Sequence, residues 1–294
     1  MKKIGWIGTG VMGANMCQHL LKSENRDLYV YNRTKSKAEP LLEAGAVWCN
    51  SAAEVAQNCS VIFTIVGYPK DVEQVVLGEE GVLQNAKAGS TLVEMTTSRP
   101  ALAEKIYEMA LQKGINSLDA PVSGGDSGAK EGTLAIMAGG DEKAFRDVKP
   151  LLESFGENIA YMGGPGKGQH TKMCNQILIA NTMIGVVESL LYASQSGMDM
   201  DEVIDVIGKG AASSWSINNL GRRIAKKDFE PGFFIKHFVK DMRIALDEAR
   251  RMNLSLPGLA LTQQFYTSAM AIGLENLGTQ GIYNVFEQMN KPSS

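Results

Sequence analysis

Residues 4 to 13 read Ile4-Gly-Trp-Ile7-Gly8-Thr-Gly10-Val-Met-Gly13, and this stretch decides the fold. The apolar residues up to Ile7 are typical of a buried strand, and the glycines after them turn the chain into a helix predicted to reach about Lys22. Their Gly-x-Gly-x-x-Gly spacing allows a tight turn and a close approach of the backbone to a pyrophosphate. The segment therefore predicts a dinucleotide site at the helix N-terminus, the alternative being a glycine-rich turn that binds nothing. The candidate cofactor-binding residues of this turn are Gly8, Thr9, Gly10, Val11, Met12 and Gly13.

The second predicted strand, Leu28 to Tyr31, is followed by Asn32-Arg33-Thr34. Sites for NAD usually have Asp or Glu here to hold the ribose hydroxyls, and this chain has neither. A guanidinium at Arg33 can bind a 2′-phosphate through two hydrogen bonds, and two lysines follow closely. Asn32, Arg33 and Thr34 therefore predict NADP in preference to NAD. The alternative is that Arg33 is a solvated surface residue.

Strands and helices alternate through the first half of the chain. Short apolar runs bounded by turn residues predict buried parallel strands at 61–66 and 91–94, and further strands are predicted at 115–122, 133–137 and 158–162. Helices are predicted at 36–44 and 71–77, and from an N-cap at Ser98 to about Lys113. This alternation predicts an α/β fold with a Rossmann-type, doubly wound parallel sheet.

The second half is predicted to be all-α. Apolar residues spaced by three and four form one face of a long helix from about Gln169 to Ser196, with a length of roughly 42 Å. They are Met173, Ile177, Ala180, Ile184, Val187 and Leu191. Further helices are predicted at 239–253, 259–272 and 280–289. We expect a dinucleotide-binding domain at 1–164 and an all-helical substrate and oligomerisation domain at 165–294, joined by the long helix. Its apolar face favours a homodimer or homotetramer.

Composition excludes several classes of protein. The chain has 294 residues, 44% of them hydrophobic and 21% charged, as in ordinary soluble proteins of two domains. A net charge of -3 gives no basic surplus for nucleic acid. No stretch approaches the roughly 18 apolar residues of a membrane span. The four cysteines lack metal-ligand spacing, so we expect no metal site and a cytoplasmic location.

The segment from Gly166 to Asn175 carries the candidate chemistry. Lys172 and Asn175 are three residues apart near the start of the long helix, so their side chains share one face. A lysine can act as a general acid or base when its surroundings lower its pKa, and an amide can hold a substrate hydroxyl or carbonyl. The alternative is that both side chains face solvent. His170 lies two positions before Lys172, hence on another side of the helix, and is kept outside the chemistry.

Four ordered motifs resemble those of the β-hydroxyacid dehydrogenases, a family that includes 3-hydroxyisobutyrate dehydrogenase and several semialdehyde reductases. The motifs are Gly8 to Met16, Asp119 to Gly125, Gly168 to Asn175 and Lys240-Asp241-Met. They extend over nearly the whole chain, and its length also fits. One departure is Asn15, where the family often has proline, inside the first predicted helix.

The resemblance implies a role for each matching position. Lys172 would be the catalytic acid/base and Asn175 would orient the substrate. The substrate carboxylate would be held by Ser123, Gly124 and Gly125. Contacts near the nicotinamide half of the cofactor would come from Thr97, or its neighbour Thr96, and from Lys240. Val66 and Gly67 would also lie against the cofactor.

Two further residues of the second half have alternative interpretations. Trp215 either lines the substrate pocket or belongs to the helical core. Asp241 either orients the active site or pairs with a surface charge. Neither alternative is decided by the sequence.

The expected activity is the reversible, NADP-dependent oxidation of a short β-hydroxy acid to its semialdehyde, with NAD as the alternative cofactor. A 6-phosphogluconate-dehydrogenase-like enzyme, an imine-reductase-like enzyme and a non-catalytic dinucleotide-binding scaffold are the alternatives. Retention of Lys172, Asn175 and the Ser-Gly-Gly loop argues against the scaffold. The choice among short hydroxy acids and the physiological direction stay open.

Overall fold

A computed structural model describes residues 3–22 and 27–291. The chain divides into two compact units, Met1–Lys172 and Met173–Ser294. The boundary falls inside a long helix, whereas the predicted boundary, at 164/165, lies before that helix. The reason is that the first turn of the helix is hydrogen-bonded to the sheet of the first unit, through Asp119 and Gln169.

The first unit contains one nine-stranded sheet. Six strands are parallel and lie in the order β3-β2-β1-β4-β5-β6, which confirms the predicted doubly wound α/β fold. β8 is antiparallel to β6 and to β7, and β9 is parallel to β8. The strands are β1 Lys3–Ile7, β2 Asp27–Tyr31, β3 Val47–Trp48, β4 Val61–Thr64, β5 Thr91–Glu94, β6 Asn116–Asp119, β7 Val122–Ser123, β8 Leu134–Gly140 and β9 Gly156–Gly163.

Helices follow most of these strands. They are α1 Val11–Leu21, α2 Glu39–Glu43, α3 Ala52–Asn58, α4 Pro69–Val72, α5 Val82–Asn85, α6 Pro100–Gln112, α7 Gly125–Glu131 and α8 Glu142–Leu152. The helix predicted at 36–44 consists of a 3₁₀ turn, Lys35–Ala38, and then α2, which has a proline in its first turn. The prediction of Ser98 as an N-cap is wrong. α6 has Arg99 as its N-cap, and the buried Ser98 hydroxyl accepts no N–H of the helix, while the Ser98 N–H is bonded to the Gln169 side chain.

Both faces of the central parallel strands are buried, since alternate residues of β1, β2, β4 and β5 enter different apolar clusters. Ile4 and Trp6 of β1 belong to one cluster and Ile7 to the other. The Trp6 ring stacks on Phe63 of β4 at a centroid distance of 5.3 Å and meets Phe155 edge-on at 5.9 Å. This two-sided packing explains why the strands read as continuous apolar runs.

The second unit is helical, as predicted. Its helices are the long α9 Lys167–Gln195, which begins in the first unit, then α10 Met200–Ile207, α11 Arg222–Ala225, α12 Ile235–Arg251, α13 Pro257–Ala271 and α14 Tyr283–Met289. All six apolar residues of the predicted α9 stripe lie in or against one hydrophobic core. The Asp199 side chain accepts the Glu202 N–H and so caps α10.

α9 is more apolar than predicted. Eighteen of its residues reach a mean hydropathy of 1.5, so the helix is long and apolar enough to cross a membrane by length and composition alone. The expectation that no stretch approaches this limit is wrong. One face of α9 forms part of the helical core.

Candidate functional site

The carboxyl ends of β1, β2, β4 and β5 bring the predicted cofactor residues to one edge of the sheet. β1 pairs with β2 on one side and with β4 on the other, so the chain order of the strands reverses at β1. In doubly wound sheets this reversal opens a crevice in which ligands bind. The loops at this edge are Gly8 to Gly10, Asn32 to Thr34, Ile65 to Gly67 and Met95 to Thr97.

The glycine turn fits a pyrophosphate. Gly8 has φ +100°, and a β-carbon there would lie 2.0 Å from the Ile65 carbonyl oxygen. A β-carbon on Gly13 would lie 2.1 Å from the Gly8 carbonyl oxygen, whereas one on Gly10 would meet no described atom within 4 Å. Two glycines therefore permit close packing and the third leaves open space at the N-terminus of α1. Backbone N–H groups at such a terminus favour phosphate.

Asn32 fastens the glycine turn to the end of β2. Its Oδ1 accepts the Thr9 N–H at 3.0 Å, and its Nδ2 donates to the Thr34 carbonyl at 2.8 Å. The side chain of Arg33 is 87% exposed, with Nη1 3.6 Å from Oδ1 of Asp71. An exposed pair of this kind contributes only about 0–1 kcal/mol, so it does little to restrain the guanidinium.

Thr96 links the loops that follow β4 and β5. Its buried hydroxyl accepts the Val66 N–H at 2.9 Å, and its own N–H donates to Oε1 of Glu94 at 2.8 Å. Thr97 next to it is half-buried, as are Val66 and Gly67. The Thr96 side chain therefore shapes the loop, while Thr97 stays accessible for a ligand contact.

Ser123, Gly124 and Gly125 turn the chain from β7 into α7. Ser123 is half-buried and pairs with Ala135 of β8. Gly124 has φ +137° and Gly125 has φ +65°, values that favour glycine. This turn presents backbone N–H groups and a hydroxyl side by side, a combination suited to an anion.

Lys172 is 6% exposed and lies in the part of α9 that belongs to the first unit. The start of this helix is fixed by Asp119 at the end of β6. Oδ1 of Asp119 accepts the Gly166 N–H at 2.9 Å, and Oδ2 accepts the Gln169 N–H at 2.8 Å. Burial raises the pKa of the Asp119 carboxyl to about 6, although these backbone hydrogen bonds act in the opposite direction.

Gln169 was not predicted as a site residue, and its side chain holds the loop after β5. Its Oε1 accepts the Ser98 N–H at 2.9 Å, and its Nε2 donates to the Thr96 carbonyl at 2.7 Å. Both Asp119 and Gln169 lie inside motifs quoted above. Nothing in the sequence pairs them, because they are 50 residues apart.

In the second unit, Asn175 is the first member of a buried polar chain. Its Nδ2 donates to Oε1 of Gln176 at 2.7 Å, and Nε2 of Gln176 donates to Oδ2 of Asp241 at 2.6 Å. The ammonium of Lys240 lies 3.0 Å from Oδ1 of Asp241. Only 13% of the Lys240 side chain and 2% of the Asp241 side chain are exposed. The alternative in which Asp241 pairs with a surface charge is therefore wrong.

The remaining candidates are aromatic residues, histidines and cysteines. Trp215 is 63% exposed at the start of a π-helix, Ser216–Gly221, so it does not belong to the helical core. His19 contacts the carbonyls of Ala129 and Lys130 through Nε2. Among residues 3–22 and 27–291, no group of three His, Cys, Asp or Glu side chains could hold a metal ion.

Asp119 makes stability depend on pH in a defined direction. Its pKa rises from an ordinary value of 3.8 to about 6 in the folded state, so folding is favoured by protonation. Its stabilising contribution is complete below about pH 3.8 and is lost as pH rises through about 6. In Asp119→Asn the free energy of unfolding should fall less steeply with pH, by up to about 1.4 kcal/mol per pH unit, the value for one proton.

Urea unfolding of both proteins between about pH 4 and pH 7 measures this slope. Asp147→Asn, at an exposed position of α8, is the matched control and should keep the wild-type slope. Equal slopes in Asp119→Asn and the wild type would contradict the prediction.

Comparisons with known proteins agree with this geometry. Residues 3–163 match the family model described as the NAD binding domain of 6-phosphogluconate dehydrogenase. Residues 166–286 match the one described as NAD-binding of NADP-dependent 3-hydroxyisobutyrate dehydrogenase.

Similar proteins cover almost the whole chain. A probable 3-hydroxyisobutyrate dehydrogenase-like protein of Arabidopsis thaliana is 51% identical over 99% of this chain and 87% of its own length. The 2-hydroxy-3-oxopropionate reductase of Escherichia coli is 38% identical over 98% of each chain. The crystal structure of a 3-hydroxyisobutyrate dehydrogenase from Salmonella typhimurium superposes with a TM-score of 0.88 at 27% identity, covering 97% of this chain and 100% of that one. The chain therefore belongs to the β-hydroxyacid dehydrogenase family, as an NAD(P)-dependent oxidoreductase of the 3-hydroxyisobutyrate dehydrogenase type.

Proposed function

We propose that the protein interconverts a short β-hydroxy acid and its semialdehyde with NADP, and that Lys172 is the general acid/base. The observation that carries the proposal is the placement of Lys172. It is buried in the unit that also contains the glycine turn, on a helix whose start is bonded to two loops at the carboxyl edge of the sheet. A bound nicotinamide supplies or accepts the hydride.

Each candidate residue has a defined task in this proposal. In the reductive direction Nζ of Lys172 gives a proton to the aldehyde oxygen as it becomes a hydroxyl, and in the oxidative direction Nζ takes that proton back. Asn175 orients the oxygen by a hydrogen bond. The substrate carboxylate is held by the hydroxyl of Ser123 and by the N–H groups of Gly124 and Gly125. Thr97 and Lys240 contact the nicotinamide half of the cofactor, and Trp215 lines the substrate pocket.

The proposed oligomer is a homodimer or homotetramer formed through α9. Of the most apolar 18 residues of α9, only 39% are buried, and Leu178 and Tyr192 are exposed on the helix surface. An open groove of about 300 Å³ along the helix is lined by small residues such as Gly185 and Ser189. Such residues let a second helix approach closely. The molar mass in solution, measured by light scattering, tests this, and the mass of one chain would contradict it.

The activity is tested with NADPH and a panel of aldehyde acids. We expect oxidation of NADPH with at least one of glyoxylate, succinic semialdehyde, tartronate semialdehyde or methylmalonate semialdehyde, and none with matching aldehydes that lack a carboxylate. Activity on cyclic imines or on 6-phosphogluconate instead would favour the alternative enzymes. Turnover of no compound would favour a binding scaffold.

Loss of the Ser123 hydroxyl should weaken binding of the carboxylate. A hydrogen bond to a charged group contributes about 1.5–3 kcal/mol, so Ser123→Ala should raise KM for the acid about 10- to 100-fold. The affinity for NADP should stay unchanged. The control is Ser268→Ala, since Ser268 is an exposed serine of α13 whose hydroxyl donates to the Gln264 carbonyl, away from the candidate carboxylate loop. An unchanged KM in Ser123→Ala would remove Ser123 from the carboxylate site.

Arg33→Ala should weaken NADP binding by about 1.5–3 kcal/mol, because the variant lacks the charged guanidinium that donates hydrogen bonds to the 2′-phosphate. Binding of NAD, which lacks this phosphate, should barely change. Fluorescence titration of both cofactors measures the two affinities. Arg146→Ala is the control, because Arg146 is also exposed and ion-paired, in α8, which carries no predicted cofactor residue. Wild-type protein that bound NAD as tightly as NADP would contradict the assignment.

Lys172→Ala should lower kcat by about 10²–10⁴, the usual loss for a positioned acid/base. Lys172→Arg should be as slow, because a guanidinium does not give up its proton near neutral pH. NADP binding should persist in both variants. The matched control is Lys167→Ala, at an exposed lysine in the same helix. If Lys172→Ala kept most of its kcat and His170→Ala were inactive, the proton transfer would belong to the histidine.

A further inference from the structure

Gln169 is fully buried, and both ends of its side-chain amide are engaged. An amide buried without partners would cost several kcal/mol, so its bonds determine its orientation. Oε1 accepts the Ser98 N–H and Nε2 donates to the Thr96 carbonyl. The two bonds hold the backbone of the residues before and after Thr97, which is assigned to the nicotinamide half of the cofactor.

The loop held by Gln169 is also bonded to its neighbour. The Thr96 hydroxyl accepts the Val66 N–H, so a hydrogen bond joins the loop after β4 to the loop after β5. Gln169 therefore holds the part of the cofactor cradle that includes Val66, Thr96 and Thr97.

The other end of Gln169 is fixed as well. Its backbone N–H donates to Asp119, and the helix start lies against the sheet. A β-carbon on Gly168 would lie 2.3 Å from the Met137 carbonyl oxygen and 2.4 Å from that of Asp119. The helix start therefore has no room to shift toward these strands.

Gln169 and Lys172 are three residues apart in α9 and share one face of the helix. The Gln169 side chain thus connects the loop 96–98, which is assigned to the nicotinamide, with the helical turn that carries Lys172. All of these residues belong to the first unit. We propose that Gln169 is a positioning residue that fixes the nicotinamide loop 96–98 relative to Lys172, an inference that rests on the proposed function. Hydride and proton transfer both require short, aligned approaches, and a displacement of about 1 Å can cost 10²-fold in rate.

Gln169→Leu tests the proposal, because leucine removes both side-chain bonds and retains an apolar group of similar size. We expect kcat to fall about 10- to 100-fold, while the dissociation constant of NADPH changes by less than about threefold. The matched control is Gln280→Leu in the second unit. Gln280 is also buried, and its Nε2 donates to the carbonyls of Asp228 and Glu230. This control should lose a similar amount of thermal stability and keep kcat within about twofold.

A second variant, Gln169→Glu, covers the case in which the leucine protein does not fold. A protonated carboxyl has the shape of the amide and can donate its O–H to the Thr96 carbonyl, whereas a carboxylate has no donor there. The ratio of its kcat to the wild-type kcat should fall as pH rises, at an assay temperature well below both melting temperatures. In Gln280→Glu the same ratio should not change with pH.

The outcomes separate this inference from the proposed function. A wild-type kcat in Gln169→Leu, or a pH-independent ratio in Gln169→Glu, would overturn the positioning role, as would an equal loss of kcat in the Gln280 variants. A Lys172→Ala protein with full activity would instead overturn the proposed function. Slow turnover in Lys172→Ala together with normal turnover in Gln169→Leu would leave the function standing and reject the positioning role alone.

Discussion

The carboxylate of Asp119 accepts two backbone N–H groups at the start of α9, and the geometry of the first unit's candidate site depends on this interaction. The first N–H groups of a helix have no partner inside the helix, so a buried helix start needs acceptors from elsewhere. A strand end supplies them here. The interaction joins the carboxyl edge of the parallel sheet, where the candidate cofactor residues lie, to the turn that carries Lys172. It also explains why the compact first unit extends to Lys172.

The sequence predicted the parallel part of the fold well because its signals are local. Ile4 to Gly13 contains a strand, a turn and a helix start within ten residues, and the structure has all three. The antiparallel direction of β8 was not predicted. Its pairing with β6 and β7 depends on how the chain folds back, and the apolar pattern of a strand does not encode its direction. The partner of the Ser98 N–H, a side chain 71 residues away, was not predicted for the same reason.

The candidate site also contains some residues that could be predicted from the sequence and others that could not. The glycine turn could be predicted because the spacing of the glycines reflects the space around each one. Asp119 and Gln169 could not be predicted, since buried polar partners leave no periodic signal. The chain from Asn175 through Gln176 to Asp241 is a second example, with the last two residues 65 positions apart. A carboxylate only accepts hydrogen bonds from its neighbours, so Asp241 orients the Gln176 amide, and Gln176 in turn orients Asn175.

The side chain of Asn32 has a consequence for how this protein can evolve. It accepts the Thr9 N–H with one atom and donates to the Thr34 carbonyl with the other. An aspartate could keep the first bond, but its second oxygen would then face a carbonyl oxygen. A substitution of Asn32 by aspartate, which would add a ribose-binding carboxylate, would therefore also disturb the loop that Asn32 holds. A lineage that acquired a carboxylate at this position would need a compensating change near Thr34, and such paired changes are reached less readily than single ones.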